Sequence, residues 1–414
     1  MSSMAFRKSR SVLISGASIA GPTLAFWLDR YGFDVTVVER ATAVRGGGYP
    51  IDIRGTAMDV IERMGLLPQV NAAHIASRAL TFIDAAGKTI GTIPVYDLTG
   101  NKGRDVELPR GELTTLLYGL TGNSRVRYRF DDSIEAIEDD GAGVNVRFRS
   151  GERQRYDVVL GADGLHSMTR RLVFGPEERF SHYLGHTFNL FSMRNDFGLS
   201  HGGIVYAEPG RAAGLFDVRD SEELFAFLIF ATETPPFGAQ ASKAEQIERT
   251  AAVFADGGWE VPRMVEALRH ADDLFFDTVS QIRMPSWSKG RVALVGDAAY
   301  APSFRSGQGT SIALVGAYVL AGELAGHDNP PDAFAAYEGL VRPFVEANQA
   351  LAIKEKGDFF LPRTQEELDA RNRMLASFEP GRSGDDLSRN ARAVHSALAL
   401  PDYGERLMSS TQDH

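Results

Sequence analysis

The stretch Ser11-Val-Leu-Ile-Ser-Gly16-Ala-Ser-Ile-Ala-Gly21-Pro-Thr-Leu limits the possible folds of this chain more than any other. A short apolar run ends in a glycine turn, a helical pattern covers Pro22 to Tyr31, and a second apolar run leads into Glu39 and Arg40. Buried strand, tight turn, helix and second strand make a βαβ mononucleotide unit. Its glycines let the backbone approach a pyrophosphate at the helix N-terminus, and its acidic residue accepts hydrogen bonds from a ribose. Gly16, Ile19, Ala20 and Gly21 form the expected pyrophosphate turn, and Glu39 is the expected ribose ligand. The middle glycine of the pattern is Ser18, so the closest approach must tolerate a small side chain. Ser18 also reads as part of G-x-S-x-A, close to a nucleophile elbow. Position argues against that: 11 residues precede Val12, too few for the strands a hydrolase needs before its elbow, and Glu39 would have no role.

The chain has 42 glycines in 414 residues, and they gather at Gly16 to Gly48, Gly161 to Gly175 and Gly290 to Gly309, each beside a Val/Leu/Ile run. At the second and third places a strand delivers an aspartate next to glycine, Asp163-Gly164 and Gly296-Asp297. Either aspartate alone reads as a helix cap. Together, at the carboxyl ends of strands where open α/β sheets bind ligands, they read as ligand contacts.

Three separated strand-to-loop junctions predict an α/β, Rossmann-like domain assembled from 1–78, 101–175 and 281–355. Between them, 79–100 and 176–280 carry short aromatic β segments such as Ala79-Leu-Thr-Phe-Ile83 and Leu224-Phe-Ala-Phe-Leu-Ile-Phe230, which read as an inserted antiparallel sheet. Helical patterns fall at Thr56–Met64, Gly111–Leu120, Lys243–Ala255, Pro262–Arg269, Thr310–Leu324 and Pro331–Ile353. The charged segment 356–414, broken by Phe359-Phe-Leu361, reads as a helical cover.

With 44 Lys and Arg against 54 Asp and Glu, a net charge of −10 and no long basic run, a nucleic-acid partner is not expected. The sequence has no cysteine, which excludes disulfides, thiolate metal sites, Fe–S clusters and a cysteine nucleophile. Nine scattered histidines include one pair at helical spacing, His182 and His186, with no third ligand nearby, so no metal is expected. The longest apolar candidate for a membrane span, Ile312 to Leu320, is too short. A cytoplasmic protein, monomeric or homodimeric, is the expectation.

In sequence order the fingerprint, Gly161-Ala-Asp-Gly164 and Gly296-Asp-Ala-Ala299 resemble the group A flavoprotein monooxygenases, the para-hydroxybenzoate hydroxylase-like family, over roughly Val12 to Ala350. The resemblance implies a Rossmann-like FAD-binding domain of the three-layer ββα type, an inserted β-sheet substrate domain and a C-terminal helical region. It implies non-covalent FAD, with Glu39 on the adenosine ribose, Arg40 near the adenine, and Gly16, Ser18, Ile19, Ala20 and Gly21 shaping the pyrophosphate turn. Arg110 would meet the phosphate-ribitol region. Asp163 and Gly164 would serve both dinucleotides, Asp297 would bond the ribityl chain, and Gly307 and Gly309 would open a helix toward the flavin.

In the family NADPH or NADH reduces the flavin, O2 adds at C4a, and the hydroperoxide passes one oxygen to an electron-rich ring. The protein positions the substrate and excludes water, so no catalytic side chain is expected. Segments rich in Phe between Phe180 and Phe237 are suitable walls for a flat substrate. The loop Arg45 to Arg54 is the expected place for flavin movement, with Arg45, Gly48 and Arg54 as candidate contacts. Tyr300 and Pro302, where the family usually has other residues, join them as candidate wall residues, and Gly316-Ala317 departs from the usual Asp-Ala. The short G-A-S-I-A-G and G-Q-G-T-S variants resemble members acting on polycyclic antibiotics, so the expected substrate is aromatic, polycyclic and polyketide-like. A same-fold reductase or dehydrogenase, a Baeyer–Villiger or epoxidising monooxygenase, a halogenase and a non-enzymatic flavin carrier remain open.

Overall fold

The computed structural model describes residues 10–44, 46, 48–95, 97, 104–122, 124–217, 222–235, 242–353, 359–380 and 391–404. A six-stranded sheet runs in the order Ser288–Lys289, Val292–Leu294, Val158–Gly161, Ser11–Ser15, Asp34–Val38, Arg127–Arg129. All its neighbours pair in parallel except the first two. The strands are continuous apolar runs because both faces are covered. Val12, Ile14, Val158 and Leu160 point to the helical side, whereas Leu13, Val38, Val159 and Val292 point to the three-stranded antiparallel sheet Ile134–Asp139, Val144–Phe148, Arg153–Tyr156. Helices, parallel sheet and antiparallel sheet are therefore the three layers.

The helix Gly309–Gly326 fills the centre of the helical layer, packed by Ala20–Arg30, Thr56–Arg63 and Pro330–Ala350. The sequence placed a shorter apolar run here. The helix has 18 residues and is apolar enough to cross a membrane by length and composition, but 78% of it is buried inside the protein. Its apolarity on all sides follows from burial by neighbouring helices.

A second sheet has seven strands in the order Phe275–Ile282, Ser181–Arg194, Glu223–Ala231, Arg211–Asp217, Gly202–Glu208, Ala79–Ile83, Thr89–Pro94. The early hairpin thus joins the later segment, the first of its strands pairing in parallel with Gly202–Glu208. Along Glu223–Ala231 the side chains alternate. Leu224, Ala226, Leu228 and Phe230 lie under the helices Lys243–Val253 and Val261–His270, and Phe227 and Ile229 face the other way. His182 and His186 lie on the long strand Ser181–Arg194, not on a helix.

The tail binds the second sheet and the helical layer. Gln365–Ala376 crosses the edge strand so closely that a Cβ on Gly91 would come 2.5 Å from the Leu375 carbonyl oxygen. Further on, the Leu398 carbonyl accepts from Thr56 at 2.9 Å and the Pro401 carbonyl from Tyr318 at 2.8 Å.

Candidate functional site

Gly16 sits at φ +105°, and its amide donates to the Val38 carbonyl at 2.8 Å. A Cβ there would meet the Ala162 carbonyl oxygen at 2.5 Å, and one on Gly21 would meet the Gly16 carbonyl oxygen at 1.9 Å. The first and last glycines of the turn are thus required by approach of the protein to itself. Ser18 accepts from Arg110 Nη1 at 3.2 Å. Ile19 precedes the helix Ala20–Arg30, and no side chain caps its start, so the first amides of that helix are available to an anion. The Glu39 carboxylate accepts from the amides of Ala17 and Ala41, each at 2.9 Å, pinning the turn to the end of the second strand. A carboxylate has acceptor capacity beyond two such bonds. Arg40 is exposed. Ala17, Ser18, Glu39, Val44, Arg110 and Thr114 line one cleft.

Arg110 opens the helix Arg110–Gly119. Its Nε is buried without a hydrogen-bond partner among the described residues, and Gly48, at φ +105°, leaves room for it: a Cβ there would come 2.9 Å from that nitrogen. Arg45 lies outside the described residues. Residues Pro50–Ile53 of the same stretch pair with Val106–Pro109 as a two-stranded sheet, so the expected loop is partly a strand. Arg54 is paired with Asp52 at 2.7 Å, and its amide donates to Ser311 at 3.1 Å.

The two aspartates differ. Asp163 accepts from Ser167, from the amide and hydroxyl of Thr169, each at 2.9 Å, and from Ser15 at 3.4 Å. Its carboxylate ties the strand end to the start of the helix Met168–Phe174, while Gly164 follows at φ +83°. Asp297 begins the short helix Asp297–Tyr300, half-buried, with no hydrogen bond to its carboxyl among the described residues. Burial, and then the charge of Asp277, push its pKa up to about 6, against the pull of Arg170 and Arg110. Gly309, the first residue of the helix Gly309–Gly326, lies beside it, a Cβ there coming 3.8 Å from Oδ1, and Gly307 turns the chain just before at φ +64°.

Tyr300 and Pro302 are corrected by the structure. Tyr300 is 1% exposed and lies 4.5 Å from Trp287, ring to ring, with its hydroxyl accepting from Tyr337 at 3.0 Å. Pro302 is buried, and its carbonyl accepts from Gln281 at 3.0 Å. Both belong to the core, and neither forms a wall.

A cluster of aromatic rings draws on both the parallel-sheet and the seven-stranded-sheet parts of the fold. The Phe304 ring lies tilted 4.6 Å from Phe188 and edge-on 5.6 Å from Phe227, and Phe275 lies 5.7 Å from Phe188 and 5.8 Å from Tyr49. Phe275 and Phe304 remain 40% exposed, which is unusual for rings so well clustered. Ser303, buried at φ +72°, sets the turn that presents Phe304. Of the expected Phe-rich segments, Phe188 and Phe227 join this ring cluster, Phe191 and Phe230 are core, and Phe237 lies outside the described residues. Tyr49, Phe275 and Phe304 escaped the sequence reading, although Phe304 lies within the third glycine segment.

A charged relay beside this cluster also escaped it. His166 stands between Glu177 at 2.9 Å and Asp277 at 3.2 Å. Its pKa is pushed up to about 10, first by the bond to Asp277 and then by that to Glu177. The buried Arg170 bonds Glu177 and also the Ala298 carbonyl, at 2.9 Å. The presence of His166 between the two aspartate motifs was the available signal.

The donor set fits a flavin dinucleotide. An uncapped helix start, a buried guanidinium nitrogen lacking a partner and an unbonded carboxyl at a strand end follow one another across the top of the parallel sheet. Among the described residues, no group of three His, Asp or Glu is placed to hold a metal ion.

Comparison with known proteins gives the same picture. Residues 9–350 match the family described as FAD binding domain. A flavin-dependent monooxygenase from an unknown prokaryotic organism is 36% identical over 402 residues, covering 95% of this chain and 99% of its own. An uncharacterised protein of Mycobacterium tuberculosis is 42% identical over 363 residues, 87% of this chain and 97% of its own. The crystal structure of tetracycline destructase Tet(55) superposes with a TM-score of 0.81 at 35% identity, covering 95% of this chain and 99% of that one.

Proposed function

The chain belongs to the group A flavoprotein monooxygenases built on this FAD-binding domain, and from that premise we propose that it consumes NAD(P)H and O2 to place one oxygen atom on a planar, polycyclic, polyketide-like substrate. The observation that carries this reading is the ring wall of Tyr49, Phe188, Phe227, Phe275 and Phe304, at the seam of the two domains and next to the Gly307–Gly309 turn. A wall of ring faces and edges fits a flat fused-ring molecule. Likeness to a tetracycline destructase supports the same substrate class.

FAD, when bound, supplies the redox chemistry that divides O2 between substrate and water. Glu39 and the turn Gly16–Gly21 would hold its adenosine and pyrophosphate end, Arg110 the phosphate-ribitol region, and Asp297 the ribityl hydroxyls. With FAD bound there, the amides at the start of Gly309–Gly326 would favour negative charge on the flavin. The aromatic wall orients the substrate and keeps water from the reacting atoms. Hydroxylation is the reaction this arrangement needs least help to perform, since the side chains bind, orient and exclude solvent.

The test is NADPH and NADH oxidation, followed with O2 uptake, across phenols, quinones, tetracyclines and anthracycline-like aglycones. Stimulation by polycyclic compounds with matching O2 uptake is expected. NAD(P)H oxidation with matching reduction of the substrate and no O2 uptake would replace the proposal with a reductase.

A further inference from the structure

Building on the reading of a planar polycyclic substrate, we infer that Arg371 binds an anionic oxygen of that substrate, at the end of the ring system remote from the reacting ring. Arg371 lies on the helix Gln365–Ala376 and is 6% exposed. Its Nε and Nη2 donate to Asn372 Oδ1 at 3.1 and 2.8 Å, and its Nη1 is buried with no hydrogen-bond partner among the described residues. No acid among those residues answers its charge: burial alone lowers its pKa, to about 10. The guanidinium rests over the Phe82 ring, 5.4 Å from its centre. The neighbouring acids of the helix are engaged elsewhere, Glu367 by the Arg363 amide at 2.7 Å and Asp369 by Gln365 at 2.8 Å.

A buried cation without a counter-charge costs stability, and this one stands where the aromatic cluster continues. Leu368, Arg371 and Leu375 form one stripe of the helix. Leu368 packs with Phe188 and Phe227, and Leu375 with Phe82 and Val205, so Arg371 comes between the two groups. Across the sheet, Phe227, Gly214, Val205 and Phe82 are successive partners on neighbouring strands. Three strand spacings span about 14 Å, the reach of a fused polycycle with its ring substituents. Along this strip the Phe216 ring covers Gly214 and Gly203, where Cβ atoms would come 2.9 and 2.7 Å from it. A ring system laid along the strip has one end at Phe227 and Phe304 and the other at Arg371. A guanidinium has five N–H donors in a planar fork, so Nη1 can take an anionic oxygen while Asn372 keeps its two bonds. Arg371 thereby selects for charge and fixes which ring is presented for oxygen transfer.

The test uses FAD-loaded wild type and Arg371→Met, with anthraquinone-2-carboxylate and its neutral carboxamide as probes. Binding is measured by equilibrium dialysis from the absorbance of the probe, beside thermal melts of both proteins. The wild type should prefer the carboxylate. Arg371→Met should weaken the carboxylate by about tenfold or more and the carboxamide by less than about twofold, as loss of one charge-assisted hydrogen bond requires. Its melting temperature should equal or exceed that of the wild type, because the substitution removes an unpaired buried charge. Equal wild-type affinity for both probes, equal loss for both in the variant, loss for neither, or a lower melting temperature with unchanged affinities would overturn the role of Arg371 and leave the substrate class intact. If the wild type binds neither probe, the polycyclic reading fails, and the inference with it.

Discussion

The hydroxyl of Tyr300 occupies the space that a side chain at Gly316 would need: a Cβ built there comes 1.9 Å from that oxygen. Two departures from the family pattern, Tyr300 and Gly316, are therefore one packing solution. The phenol fills the core against Trp287 and Tyr337, and the glycine makes room for it.

This pairing predicts a rescue. Gly316→Ala should destabilise by about 1–3 kcal/mol despite the better helix propensity of alanine. Tyr300→Phe removes the blocking oxygen, so the double variant should be more stable than Gly316→Ala alone. Thermal unfolding of the four proteins measures the coupling, and strict additivity would contradict the packing account.

Asp163 and Asp297 should separate by experiment. Asp163 is occupied by Ser15, Ser167 and Thr169, whereas the Asp297 carboxyl has no bond of its own among the described residues. Asp297→Ala should weaken FAD binding about tenfold or more without lowering apoprotein stability. Asp163→Ala should lower apoprotein stability by about 1–2 kcal/mol, as loss of a helix cap does, with the smaller effect on FAD. Titration of apoprotein with FAD, beside thermal melts, decides it, and equal effects on both quantities would undo the assignment.

The raised pKa of Asp297, about 6 in the fold against the ordinary 3.8, gives a pH signature. A folded carboxyl that holds its proton more tightly than the unfolded one costs stability once it ionises. The cost begins as pH rises above the unfolded value and is complete above about 6. Asp297→Asn should therefore stabilise the apoprotein at neutral pH, and its advantage should shrink between pH 6 and 4 and be gone below that. Melting curves across this range would show a pH-independent difference if the carboxyl were solvated.

His166 has the opposite sign. Its pKa is raised from 6.5 to about 10 by Asp277 and Glu177, so its contribution is fully present below the unfolded value and fades as pH rises through the folded one. The melting difference between wild type and His166→Gln should be largest at slightly acid pH and vanish in strong alkali. The imidazole is exposed, so screening keeps the effect modest.

Strand ends, glycine turns and helices were legible in the sequence because their signals are local. Gly16, Gly21 and the runs around Val12, Val158 and Val292 announce a parallel sheet through residue type alone. Side-chain direction was less visible. Tyr300 reads as a wall residue by position in its motif, yet it turns into the core because Gly316, a helix away, leaves a hole for it. Phe275 meets Phe188 across two paired strands far apart in the chain, and Tyr49 meets Phe275 only where the two domains come together, and no periodicity in any one segment records those meetings. The partners of His166 are likewise 11 and 111 residues away.

The central claim is oxygen transfer to a polycyclic ring. Its most direct test is a turnover with isotopically heavy O2, NADPH and a substrate that stimulates NADPH oxidation, with product mass read out. The account predicts a product heavier by one labelled oxygen atom, in proportion to the NADPH consumed. A product carrying oxygen from water, or stimulated oxidation that yields only peroxide and unchanged substrate, would contradict it.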